Sequence, residues 1–133
     1  MILIHDLHQM AHGLGVQLVH HDGGDKGWFS ETYRVISTRR GMPVWDYKST
    51  LAHELAHAVF RDRRSGHTYF DQRQEDRADL YAARMLINHD ELHHHALWHR
   101  NALDPLAKDL EVSTHLLETY LRHHPLILKE EAA

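Results

Sequence analysis

Leu51-Ala52-His53-Glu54-Leu55-Ala56-His57 is the stretch whose reading decides this fold. Residues four apart stack on one face of a helix, so His53 and His57 can hold one ion between them. Glu54 is offset by about 100° around the cylinder. It therefore sits beside the ion, where a carboxylate can take a proton from an attacking water; that is the mechanical content of His-Glu-x-x-His. Leu51, Leu55, Ala58 and Val59 form an apolar stripe through the same segment, and Ala52, Ala56 and Phe60 widen it. The pattern predicts a buried helix over about 46–60. Two histidines and a glutamate inside a core are costly unless something pairs them, and a zinc ion would do so.

Histidine is abundant, 16 of 133 residues, so spacing alone is a weak signal. His8/His12, His53/His57, His89/His93 and His95/His99 all have the four-residue spacing, but only His53/His57 carries glutamate in second place. The next segment adds weight. After a polar loop over 61–71, a second helix is predicted over 72–87, with Ala78, Tyr81/Ala82 and Met85/Leu86 facing inward. Glu75 falls on that inward stripe, where a carboxylate needs a cation. It reads as the third ligand. Asp79, one turn on, can accept the N–H of a ligand histidine and fix its tautomer. Two histidines and one glutamate leave a coordination position for water, the mark of a catalytic rather than a structural site. Taken alone, Glu75 and Asp79 read better as the exposed start of a solvated helix; it is the His-Glu-x-x-His upstream that turns the reading to a metal site.

These residues carry a resemblance. Leu51 to His57, followed by Glu75-Asp76-Arg77-Ala78-Asp79-Leu80-Tyr81-Ala82-Ala83-Arg84-Met85-Leu86, resembles the ImmA/IrrE family of metallopeptidases over about residues 2–125. The resemblance implies a gluzincin-like α+β fold with zinc on His53, His57 and Glu75, and Glu54 as general base. It also implies an intracellular endopeptidase acting on a regulatory protein, often a helix-turn-helix repressor of a phage or mobile element. The alternative is a non-catalytic zinc protein that binds and sequesters a transcriptional regulator. A SprT-like repair protease would normally show a third histidine and often a cysteine ribbon, whereas this chain has no cysteine and offers Glu75. Peptide hydrolysis also needs a group to stabilise the oxyanion. His67 and Tyr69, between the motif helices, are the candidates, set against a reading as ordinary loop residues.

Outward from the motifs, Leu3/Ile4, Leu7, Met10/Ala11 and Leu14 predict an N-terminal helix. Val16 to His20 and Tyr33 to Ser37 read as strands around the turn signal His21 to Gly27, giving a short antiparallel sheet. From Glu91 the chain is helical in pattern to about 125, broken at Pro105 and Pro125, with a tail over 126–133. The expected whole is one small zincin-like α+β domain over 1–133, with two metal-bearing helices and a C-terminal helical region. Leu106 to Ser113, followed by Leu116 and Leu117, resembles a helix-turn-helix, with Glu111 where glycine is usual. Its reading helix has no basic residue before Arg122, so packing or partner docking is expected rather than DNA reading. His93, His94, His95 and His99, like His5, His8 and His12, read as solvated faces rather than a second metal site.

Composition sets the limits. Hydrophobic residues make up 42% and charged residues 26%, as in an ordinary globular domain. Without cysteine there is neither disulfide nor thiolate metal site. A net charge of −4 gives no electrostatic footprint for nucleic acid, and Arg61, Arg63 and Arg64 read as a solvated helix end. The N-terminus lacks a basic n-region and no apolar run spans a bilayer, so a cytoplasmic protein without membrane contact is expected.

Overall fold

The computed structural model describes residues 1–100 and 102–126. The order is α1 (Ile4–Gly13), β1 (Gln17–His21), β2 (Gly27–Ser30), β3 (Val35–Arg39), α2 (Val44–Phe60), α3 (Thr68–Leu86), α4 (His89–His99), α5 (Leu103–Asp109) and α6 (Thr114–His123). This is the expected α+β class. From residue 127 on, the tail lies outside the described residues. No helix among the described residues is long and apolar enough to cross a membrane.

The sheet differs from expectation in one pairing. Its order is β1-β3-β2, with β2 and β3 antiparallel but β1 and β3 parallel. The reason lies in burial. Ile36, Ser37 and Thr38 of β3 are all buried, so β3 takes the centre. It enters between β1 and β2 rather than beside them. His20 and His21 of β1 then bond side chain to side chain with Thr38 and Ser37 at 3.0 and 2.6 Å. β2 is left as an edge strand, paired on one side only.

α2 runs through the middle of the molecule. Leu51, Ala52, Leu55 and Ala56 are fully buried, as the apolar pattern requires. The helix begins at Val44, two residues before the expected start, because Pro43 with φ −62° is already set for the turn that opens it. α3 begins at Thr68 rather than 72, which shortens the polar loop and places Tyr69 on a helix. Ala78, Ala82, Ala83 and Leu86 press α3 against α2. Pro105 does not break a helix: it lies in the first turn of α5, where its missing N–H would have had no partner. The break comes earlier, at Arg100, which has φ 46°.

The helix-turn-helix resemblance is resolved by packing. Glu111 does take the left-handed conformation that usually calls for glycine, with φ 56°. Its Oε2 accepts a 2.8 Å bond from Nζ of Lys48, a lysine of α2 only 2% exposed. The next turn is tied down too, with Ser113 N–H donating to Ser49 Oγ at 2.7 Å. Leu116, Leu117, Thr119 and Tyr120 of α6 are buried. The helix after this corner thus packs one face into the fold, while His115 and Glu118 stay exposed on the other.

Candidate metal centre

α2 presents His53 and His57 one above the other, and α3 brings Glu75 across to both. Glu75 Oε2 lies 2.8 Å from His53 Nε2, and Oε1 lies 3.2 Å from His57 Nε2. The two Nε2 atoms are 3.1 Å apart. One donor atom from each of His53, His57 and Glu75 falls within 4.8 Å of the others. Among the described residues this is the one cluster of three or more such side chains able to hold an ion. His93, His94, His95 and His99 of α4 form no such group; His99 pairs with Asp109 instead. His8 likewise bonds Tyr47 OH at 2.9 Å.

Both imidazoles are held from behind. A carboxylate can only accept, so each Nδ1 donates and each Nε2 is left facing the centre. His53 Nδ1 bonds Asp79 Oδ1 at 2.8 Å. His57 Nδ1 bonds Asp62 Oδ2 at 2.8 Å. Asp62 was invisible in the sequence, since an aspartate in a polar loop carries no signal until the chain folds back. Asp79 has a second partner: its Oδ2 accepts from His115 Nε2 at 2.8 Å. His115, in the first turn of the helix after the helix-turn-helix-like corner, lines the cleft.

The charges around this centre are strongly coupled. Burial resists protonation of His53, but bonds to Asp79 and Glu75 and the nearby Glu54 outweigh it and push the imidazole up to about 10. His57 is raised for the same balance of reasons, burial opposed by Glu75 and Asp62. Hydrogen bonds from the two histidines hold Glu75 well below the usual carboxylate range. Asp79 is lowered, with burial outweighed by His53 and His115. A divalent cation in place of the protons would satisfy the same acceptors, so the donor set fits a metal.

Glu54 is different. It is 6% exposed, and its Oε2 has no hydrogen-bond partner among the described residues. Burial raises its pKa, against the pull of His53 and His57. An unpartnered buried carboxylate is costly and therefore informative. Gly27 of β2 makes room for it: a Cβ there would stand 3.2 Å from Glu54 Cγ and 2.6 Å from Thr50 Cγ2.

These residues lie in a cleft of about 900 Å³, walled by β2 on one side and by α2, α3 and the first turn of α6 on the other. His67 and Tyr69 do not line it. His67 caps α3 with its ring 4.9 Å from Phe70, and Tyr69 is 60% exposed beside Phe70 and Arg73. The arginines after α2 are less free than a solvated helix end. Arg61 pairs with Glu31 and Arg63 donates to Thr32, both at 2.9 Å, strapping the α2–α3 loop to the β2–β3 turn.

No curated protein matches the chain. A family comparison does: residues 5–122 match the IrrE N-terminal-like domain of the M78 peptidases, and with its His-Glu-x-x-His helix facing Glu75, the chain belongs to that family of metallopeptidases.

Proposed function

We propose that the chain is a zinc endopeptidase in which His53, His57 and Glu75 hold the ion and Glu54 is the general base. One observation carries this reading: a buried Glu54 oxygen without a partner among the described residues stands beside His53, His57 and Glu75. Histidine nitrogen and carboxylate oxygen in this combination suit zinc at an open site. Zinc supplies Lewis acidity there, polarising a peptide carbonyl and making water a better nucleophile. The chain's own residues do the rest. Glu54, raised by burial, takes the proton of the attacking water and returns it to the leaving amine. Asp79 and Asp62 keep the ligand rings aimed. His115 stands on Asp79 at the cleft wall, where His67 and Tyr69 do not reach; with Nε2–H held by Asp79, its imidazolium form has Nδ1–H to donate to the developing oxyanion.

The substrate is read as an extended segment of a regulatory protein. β2 is an edge strand lining the cleft, and an edge offers main-chain pairing to an extended peptide. A helix-turn-helix repressor of a phage or mobile element, in the cytoplasm, is the partner that the family resemblance suggests. We read residues 1–133 as one such domain. The test is incubation of the zinc-loaded protein with the product of the neighbouring gene, followed by mass spectrometry of fragments. Cleavage by the wild type, and none by Glu54→Gln with zinc still bound, is the expected result. An intact partner in a stable complex would instead favour sequestration.

A further inference from the structure

The two ligand histidines are braced by different means. Asp79 belongs to the second motif, one turn after Glu75, and its other oxygen is engaged by His115, which is 64% exposed. Asp62 comes from outside both motifs. Its place is made by the way α2 ends. Arg61 adopts the left-handed conformation with φ 54°, and Asp62 N–H returns to His57 C=O at 2.9 Å. The chain doubles back, and the Asp62 carboxylate arrives behind the second histidine.

There both carboxylate oxygens are used. Oδ2 accepts from His57 Nδ1 at 2.8 Å, and Oδ1 accepts from Arg77 of α3. The side chain of Asp62 is 5% exposed. Arg77 is itself fixed, its guanidinium 4.1 Å from the centre of the Phe60 ring. A buried carboxylate without partners would be costly; between an imidazole N–H and a guanidinium it is satisfied and rigid. Phe60, Asp62 and Arg77 thus form one closed unit whose open end is the His57 ring.

We propose that Asp62, braced by Arg77, is a positioning residue for the metal ligand His57. It places the hydrogen on Nδ1, holds the ring plane and leaves Nε2 directed at His53 and Glu75. A ring already ordered loses no rotational freedom when it binds an ion, and a negative acceptor on Nδ1 makes Nε2 a stronger donor. This rests on the metal reading above.

The test is zinc affinity of the full chain, measured by competition with a chromophoric chelator. Asp62→Ala should weaken binding by roughly 10–100-fold. Asp62→Asn keeps an acceptor without the charge and should recover part of that loss. Arg77→Met should cost less than Asp62→Ala, because the carboxylate stays but loses its brace. The NMR signal of the His57 Nδ1 proton should be present in the wild type and lost in Asp62→Ala. Thermal melting in EDTA reports any purely structural role, which would lower the melting temperature and leave zinc affinity unmoved. Wild-type zinc affinity in Asp62→Ala, with the Nδ1 proton still protected, would overturn the proposal. Should Asp62→Ala not fold, Asp62→Asn decides, with unchanged affinity overturning it. Should the wild type bind no zinc, the metal reading fails separately, and the Nδ1 proton decides whether Asp62 holds His57.

Discussion

Two helix pairs in this molecule bury charge, and they do so to opposite ends. Between α2 and α3, His53, His57 and Glu75 converge beside a Glu54 oxygen that has no partner among the described residues. Between α2 and the α5–α6 turn, Lys48 and Glu111 meet at 2.8 Å and complete each other. The first arrangement has capacity left over; the second is closed. Buried charge by itself does not mark a functional site. What marks one is a set of converging acceptors that the fold leaves short of cations or donors.

The sharpest way to break the comparison is Glu54→Gln. It should lower peptide cleavage by roughly 10²–10⁴-fold. Zinc content, read by metal analysis, should stay at the wild-type level, because the proposed ligands are His53, His57 and Glu75. Loss of zinc with loss of cleavage would show that Glu54 belongs to the donor set.

The closed pair is tested by Glu111→Gly. Glycine suits φ 56° better than glutamate, so backbone strain alone predicts a stabler protein. Stripping the buried Lys48 of its partner should win, with a net loss of about 2–3 kcal/mol in chemical denaturation. The double change Lys48→Met with Glu111→Gly should restore most of that. A stabilised single variant would mean that Lys48 finds water instead.

Gly27→Ala tests how closely β2 must approach the catalytic helix. Its Cβ would stand 2.6 Å from Thr50 Cγ2, so β2 must shift, at a cost of about 1–3 kcal/mol. Cleavage should fall while zinc affinity changes little, since the contacts are with Thr50 and Glu54 and not with a proposed ligand. Equal losses in both would point to general disruption.

The smallest expected effect is on the pH dependence of the metal-free protein. His53 is raised from 6.5 to about 10 in the fold. A raised base stabilises the fold in full below its unfolded pKa and loses that contribution as pH climbs through the folded one. Melting in EDTA should therefore weaken from pH 6.5 towards about 10. Zinc competes with those protons, so its affinity should move the other way and tighten as pH rises. A flat metal-free profile over that range would show that the carboxylates around His53 do not hold its proton.

His53, His57 and Glu54 were legible in the sequence because helical period fixes who shares a face. Glu75 and Asp79 were legible as polar residues on an apolar stripe, and the helix–sheet–helix order was legible from changes of period. β3's central place was not, since strand order depends on which face is most buried. His115 and Asp62 were not, because each reaches the centre only through a turn of the chain: the α5–α6 corner for one and the left-handed Arg61 for the other.

The sequence by itself therefore determined the candidate ligand set, through two helices whose geometry is local and periodic. Tertiary structure decided what surrounds it: which carboxylate holds His57, which histidine lines the cleft, and that Lys48 closes the corner at Glu111. Those relations depend on how the chain turns: Asp62 is five positions from His57 but across the left-handed Arg61, and His115 reaches Asp79 from 36 positions away. They are set by burial and by the pairing of otherwise unsatisfied charges, which no local pattern encodes.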